Sequence, residues 1–131
     1  MKKILNFLFL LFACAGCYTE DITSSRLYIE NQSSHIISIS SGYLSSENYV
    51  VEPGSSKCIS SMTGNGSSLF VLTAAEVTFD SEVTVAYDNK GNLSEYNICV
   101  EDNWKYEIDG IIQKWTYTFT NDDFSYAKSL N

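Results

Sequence analysis

Sixteen carboxylates, one histidine and four cysteines are the side chains of this 131-residue chain best suited to acid–base, metal or thiol chemistry. A glycosidase-type mechanism needs two carboxylates that converge on one bond. Three pairs lie close in sequence: Asp80 with Glu82, Glu101 with Asp102, and Asp122 with Asp123. Each also has an ordinary reading, as strand ends, a turn and a helix cap. His35 is the only histidine, which excludes metal sites built from several imidazoles, and neither a Gly-x-Ser-x-Gly elbow nor a P-loop occurs. Ser38, Ser40, Ser60 and Ser61 fall where solvent-facing strand positions are expected. Asp88-Asn89-Lys90-Gly91-Asn92 has the outline of a calcium loop, but Lys90 stands where an oxygen ligand belongs and the glycine comes one position early. It reads as a hairpin turn, with calcium between loops through Asp80, Glu82 or Asp102 left open. No catalysis and no cofactor are expected from these patterns.

The cysteines divide by position. Cys14 and Cys17 close a leader with Lys2 and Lys3 as its positive start, Ile4 to Phe12 as its apolar stretch, and small Ala15 and Gly16 before the last thiol. The apolar run is too short to span a bilayer, which takes about 20 such residues. Two readings of Cys58 and Cys99 stay open. A disulfide between them would close a loop of about 40 residues, worth about 3 to 4 kcal/mol in the chain-entropy model, and export would permit it. Alternatively they are buried free thiols that pack as small hydrophobes.

Cys14-Ala15-Gly16-Cys17 resembles the lipobox of bacterial lipoproteins. The resemblance implies a diacylglyceryl group on the Cys17 thiol and cleavage just before it. One position departs from the pattern, Cys14 standing where Leu or a similar aliphatic is usual. Leu11-Phe12-Ala13-Cys14 is a rival with Leu in place, set against a bulky Phe12 and a very short leader; Cys17 is favoured. An ordinary secretory signal that leaves Cys17 a free thiol is the bland alternative. Two or three acyl chains on one residue hold a protein at a membrane where a single chain binds marginally. The expected layout is a signal peptide over 1–16, a lipidated cysteine and polar tether over 17–25, and one domain over 26–131.

Loss of Lys2 and Lys3 with the leader takes the formal charge from −8 to −10. Such a surface repels phosphate backbones, so nucleic acid is excluded as a partner class.

The domain reads as strands, because apolar residues recur with period two. Leu27 and Ile29, Ile37 and Ile39, and Val83, Val85 and Tyr87 each alternate with polar neighbours. So do Tyr96, Ile98 and Val100; Trp104, Tyr106 and Ile108; and Trp115, Tyr117 and Phe119. Alternation over so many segments predicts antiparallel sheets with one face on a core. The expected fold is an all-β antiparallel sandwich, of immunoglobulin or transthyretin kind, with a short C-terminal helix. By the same alternation Trp104, Trp115, Tyr117 and Phe119 are expected in the core. Tyr28, Tyr43 and Tyr49 fall nearer turns or outer faces and are the candidate ligand contacts.

Turn chemistry separates the strands. Pro53-Gly54 suits the centre of a type II turn, and Gly64-Asn65-Gly66 is a further cluster. Asp109-Gly110 is the strongest hairpin signal. With those two as the loop, Ile108 pairs with Ile111 and Trp104 with Trp115, which would stack two indoles across strands and set Lys105 against Lys114. From Asn121 to about Lys128 a helix is expected. Thr120 is its cap, Asp122 and Asp123 occupy its first turn, and Phe119 with Phe124 forms a hydrophobic staple. Its role is to fold the tail over an open edge or end of the core.

The run Trp115 to Ala127, a strand entering a Thr-x-Asp-Asp-aromatic helix start, is similar to the C-terminal ends of small Bacteroidota envelope lipoproteins. So is the run Ile29 to Ile37 followed by Pro53-Gly54. In that group acidic residues soon after the lipidated cysteine, here Glu20 and Asp21, resemble a signal for export to the outer face. The resemblance implies an outer-membrane lipoprotein with a β-sandwich and carries no activity. Two functional readings follow: a surface-anchored sandwich that binds a glycan or a protein partner, and an accessory lipoprotein joined to a larger complex or filament by strand addition.

Overall fold

The computed structural model describes residues 24–44, 48–63, 70 and 72–131. The leader, Cys17 and the Gly64-Asn65-Gly66 turn lie outside the described residues. Among the described residues eight strands form two four-stranded sheets. One sheet holds β1 (Ser24–Asn31), β4 (Ser56–Thr63), β7 (Lys105–Asp109) and β8 (Ile112–Phe119), in the order β4-β1-β8-β7. The other holds β2 (Ile37–Ser40), β3 (Asn48–Val51), β5 (Ala74–Phe79) and β6 (Val83–Asp88), in the order β3-β2-β5-β6. Among the described residues a single α-helix, α1 (Asn121–Ser129), follows β8. The all-β, sandwich-like fold is therefore the one expected. Among the described residues no helix is long and apolar enough to cross a membrane.

Strict alternation fixes the inner faces. In β1 Leu27 and Ile29 are buried while Arg26, Tyr28 and Glu30 are half-buried outside, and in β8 Trp115, Tyr117 and Phe119 point inward. Ile37, Ile39, Val77, Phe79 and Val85 complete the core from the second sheet. The four aromatics expected in the core are there, Trp104 included. One pairing departs from the antiparallel expectation: β1 and β8 run parallel, with Leu27 beside Trp115. A parallel pair needs a long crossover, and here the whole second sheet lies between the two strands in sequence. In β4 a bulge opposite Leu27 and Tyr28 skips Ile59 in the pairing with β1, so Ile59 and Ser60 are buried side by side. Ser60 therefore faces inward, against its expected solvent-facing place.

The run Tyr96, Ile98, Val100 forms no strand. Successive turns replace it, with the backbone N–H of Asn97 donating to Ser94, that of Val100 to Asn97 and that of Asn103 to Val100. Asn side chains compete with sheet ladders for backbone groups, and two do so here. The Asn97 amide donates to the carbonyls of Asp88 and Asn92 and its oxygen accepts from Cys99 N–H; the Asn103 amide donates to Ser94 and Asn97. Asn97, Ile98 and Cys99 are buried in succession, which breaks the alternation expected of a strand with one face in water. With no strand after it, Asp88–Asn92 is not a hairpin turn. The Asp88 carboxylate instead accepts the backbone N–H groups of Lys90 and Gly91, which hold it below the usual carboxylate range.

The closing end of the sandwich is tied by polar groups. Asn31, fully buried, donates to the carbonyls of His35 and Val51 and accepts from the N–H and hydroxyl of Ser33. Gly54, at φ 78°, donates its N–H to the Asn31 carbonyl, so the expected Pro53-Gly54 turn docks onto β1. Between β5 and β6 Asp80 and Ser81 both hold positive φ, at 51° and 60°, as the centre of a type I′ turn closed by Glu82 N–H to Phe79. Asp80 is held there by His35 Nδ1 at 2.6 Å and Ile36 N–H at 2.9 Å.

The helix begins as expected. Thr120 and Asp123 form a capping box, and the Asp123 carboxylate also accepts the Tyr117 hydroxyl at 2.6 Å. The staple is indirect: Phe79 stands between Phe119 and Phe124, its ring centroid 6.0 and 5.7 Å from theirs. Phe124 stacks on His35 at 3.7 Å, and α1 lies along β6, where Asn131 donates to the Thr84 carbonyl.

Candidate functional site

The hairpin of β7 and β8 closes one residue later than Asp109-Gly110 predicts, which shifts the cross-strand register by two. Asp109 pairs with Ile112, so Gly110 and Ile111 form the loop, with Gly110 at φ 61° in the first central position, as a type II′ turn requires. The whole register moves with it. Trp115 lies opposite Tyr106, their ring centroids 4.9 Å apart, and Lys114 lies opposite Glu107 rather than Lys105. The Lys114 ammonium is 3.7 Å from the Glu107 carboxylate and 5.0 Å from the centre of the Tyr28 ring. An expected like-charge clash is thus an ion pair.

All five residues of β7 are exposed. Tyr106 and Ile108 carry the core face past the rim of the sandwich at 46% and 57% exposure, with Ile111 beside them at 38%. Antiparallel geometry settles where the backbone points. Asp109 closes a two-residue loop, so Lys105, Glu107 and Asp109 turn their backbone groups toward β8. Tyr106 and Ile108 turn theirs to the open side.

The other three edges are managed. β6 lies under α1 and Asn131. β4 is bulged, and its Lys57 ammonium donates across to the Val50 carbonyl of β3, so these two edges are tied to each other. Bulges, lysines and covering helices are the usual protections of sheet edges. Among the described residues β7 has neither a bulge nor a covering helix, and its one lysine, Lys105, stands at the start of the strand and turns its backbone toward β8.

Beside β7 a hollow of about 360 Å³ is lined by Glu101, Asp102, Trp104, Tyr106 and Trp115. Its floor is fixed because the Trp104 indole donates to the Ile98 carbonyl at 2.7 Å. Glu101 and Asp102 belong to the 3₁₀ turn Glu101–Asn103 that leads into β7. An exposed phenol ring beside two carboxylates can stack on a ring and accept hydrogen bonds from hydroxyl or ammonium groups.

The residues expected to make ligand contacts do not meet. Tyr28 stands on the outer face of β1 under Lys114. Tyr43, 57% exposed, lines a different hollow of about 470 Å³ with Thr73, Asp88 and Lys90. Tyr49 pairs with buried Ile39 and packs against the core, so it is not on an outer face. Cys58 and Cys99 are both free, so the candidate disulfide is not formed. Cys58 is exposed on β4, whereas Cys99 is buried with its thiol toward the Tyr87 carbonyl of β6. Burial pushes the Cys99 thiol up to about 12, which makes it a packing group and not a nucleophile. The carboxylate pairs sit in three separate places: the β5–β6 turn, the turn before β7, and the first turn of α1. Among the described residues no group of three or more His, Cys, Asp or Glu is placed to hold a metal ion.

No family model, curated protein or solved structure matches this chain. The β7 edge and the hollow beside it are therefore read from their own chemistry. Sequence reasoning missed the edge because alternation marks a strand's faces and is silent on which strand ends a sheet.

Proposed function

We propose that this chain is a lipid-anchored, non-catalytic protein of the bacterial outer membrane that binds a protein partner along β7. The observation that carries the reading is the contrast among the four sheet edges. Three are covered, bulged or bridged, and the fourth exposes the open backbone of Tyr106 and Ile108 together with their side chains. Strand addition at such an edge draws affinity from main-chain hydrogen bonds and specificity from alternate side chains. The lipobox-like leader and the polar stretch after Cys17 favour a tether that leaves the domain free to meet its partner.

The test is co-purification from detergent-solubilised envelopes with the tagged full chain and its Ile108→Pro variant. Proline at an open-side position removes a donor that β8 does not use, so the domain keeps its fold. The wild type retains its partner and Ile108→Pro loses it. Equal retention by both would remove strand addition at β7.

A second reading, glycan binding, is favoured by the hollow of Glu101, Asp102 and Tyr106. Trp104 and Trp115 line it and provide a fluorescence signal for a panel of soluble oligosaccharides. Saturable quenching that Tyr106→Ala abolishes and Ile108→Pro leaves intact would establish it.

A further inference from the structure

We infer that the occupant of the β7 edge is a second copy of this chain, paired antiparallel through β7 about a two-fold axis at Glu107. The inference rests on the reading of β7 as a contact edge and names its partner.

The strand sequence is complementary to itself reversed. In Lys105-Tyr106-Glu107-Ile108-Asp109 a two-fold at Glu107 sets Lys105 of each copy opposite Asp109 of the other, and Tyr106 opposite Ile108. Opposite charges and aromatic–β-branched neighbours are the pairs that stabilise antiparallel strands. Tyr106 and Ile108 are also the residues whose backbone groups face outward, so the two copies exchange N–H and carbonyl groups at those positions and complete the ladder. Side chains that now overhang the core at 46% and 57% exposure would cover each other.

Charge is what limits association of an acidic chain with itself, and this edge escapes the limit. The chain carries −8 overall, yet Lys105, Glu107, Asp109 and Lys114 on the outer side of the hairpin sum to zero. The one like-charge contact of the register is Glu107 against its own copy. Each of these carboxylates already has its own Lys114 at 3.7 Å, so the two adjacent anions at the centre are flanked on both sides by an ammonium and the row of four sums to zero. A shift of two residues toward the loop would set Glu107 against Asp109, and a parallel in-register pair would set every charge on its like. Both are disfavoured.

A five-residue strand pairing buries little area and gives a weak complex in dilute solution. Anchoring both copies to one membrane raises their effective concentration and compensates.

The test uses the full chain in intact cells. Glu107→Cys places a thiol on the two-fold axis, where it meets its own copy, whereas Lys105→Cys lies opposite Asp109 and about 13 Å from its own copy at the strand rise. Under mild oxidation Glu107→Cys gives a non-reducing band at twice the chain mass that the wild type and Lys105→Cys lack. In the Glu107→Cys background, K105E or D109K alone diminishes the band and the two together restore it. Equal linking by both cysteines, or no rescue by the double reversal, overturns the register. A link only to a protein of different mass overturns the second copy and leaves β7 as a contact edge. No link of any kind overturns both. Because Glu107 is exposed, thermal unfolding of each variant at the wild-type temperature separates lost pairing from lost fold.

Discussion

Glu107 faces Lys114 across the β7–β8 hairpin with carboxylate and ammonium 3.7 Å apart, and Lys114 in turn lies over the ring of Tyr28. The pair is exposed, so its worth to stability is small. Its consequence is positional: it neutralises the outer side of an edge strand whose backbone is open. An acidic domain thereby presents one edge that is neither covered nor charged against a neighbour.

The polar tie at the closing end predicts a large effect from one buried amide. Asn31→Ala takes the donor from the Val51 carbonyl and the acceptor from the Ser33 N–H at a buried position, while the His35 carbonyl and the Ser33 hydroxyl keep each other. Unsatisfied buried polar groups cost about 1 to 3 kcal/mol each. Urea unfolding of Asn31→Ala should show a loss of about 2 to 4 kcal/mol, while Gln32→Ala, exposed next to it, should change the midpoint little.

Asp80 predicts an acid-sensitive contribution. His35 and the Ile36 N–H hold its carboxylate below the usual range, so its stabilisation is present above the unfolded value of 3.8 and is lost as pH falls through the lower folded value. Asp80→Asn should therefore be less stable than wild type at pH 7, and the gap should close as the pH is taken below 3.8. Paired denaturation curves at the two pH values measure it.

The buried Asp123 runs the other way. Burial pushes its carboxyl up, so its ionisation costs stability as pH rises through the raised value, and the Tyr117 hydroxyl offsets part of that cost by donating to the anion. Tyr117→Phe removes the donor. Its destabilisation should be greater above the raised value, where Asp123 is charged, than below it, where protonation relieves it; thermal unfolding across a pH series gives the comparison.

Much of the fold is legible in the residue order, for reasons that specific positions make plain. Alternation in Leu27–Ile29 and Trp115–Phe119 yields the inner faces because each side of those strands meets one environment. Thr120, Asp122 and Asp123 mark the helix start because capping is local. Alternation misleads at Tyr96–Val100, where Asn97 and Asn103 spend their amides on backbone groups and the chain turns instead. The hairpin register is off by two because Gly110 serves as the first turn residue and not the second, where its positive φ suits a type II′ turn. The candidate tyrosines separate, Tyr49 going inward, and β7 stays hidden because being an edge depends on strand order, a property of the whole sheet.

Backbone amide hydrogen exchange at Tyr106 and Ile108 tests the central claim most directly. In the dilute purified chain both amides face solvent and should exchange rapidly, while those of Glu107 and Asp109, bonded to β8, are protected. In native envelopes, with the partner engaged, Tyr106 and Ile108 should slow to the level of their protected neighbours. Exchange at those two amides that stays as fast in envelopes as in the dilute chain would contradict β7 as the contact edge.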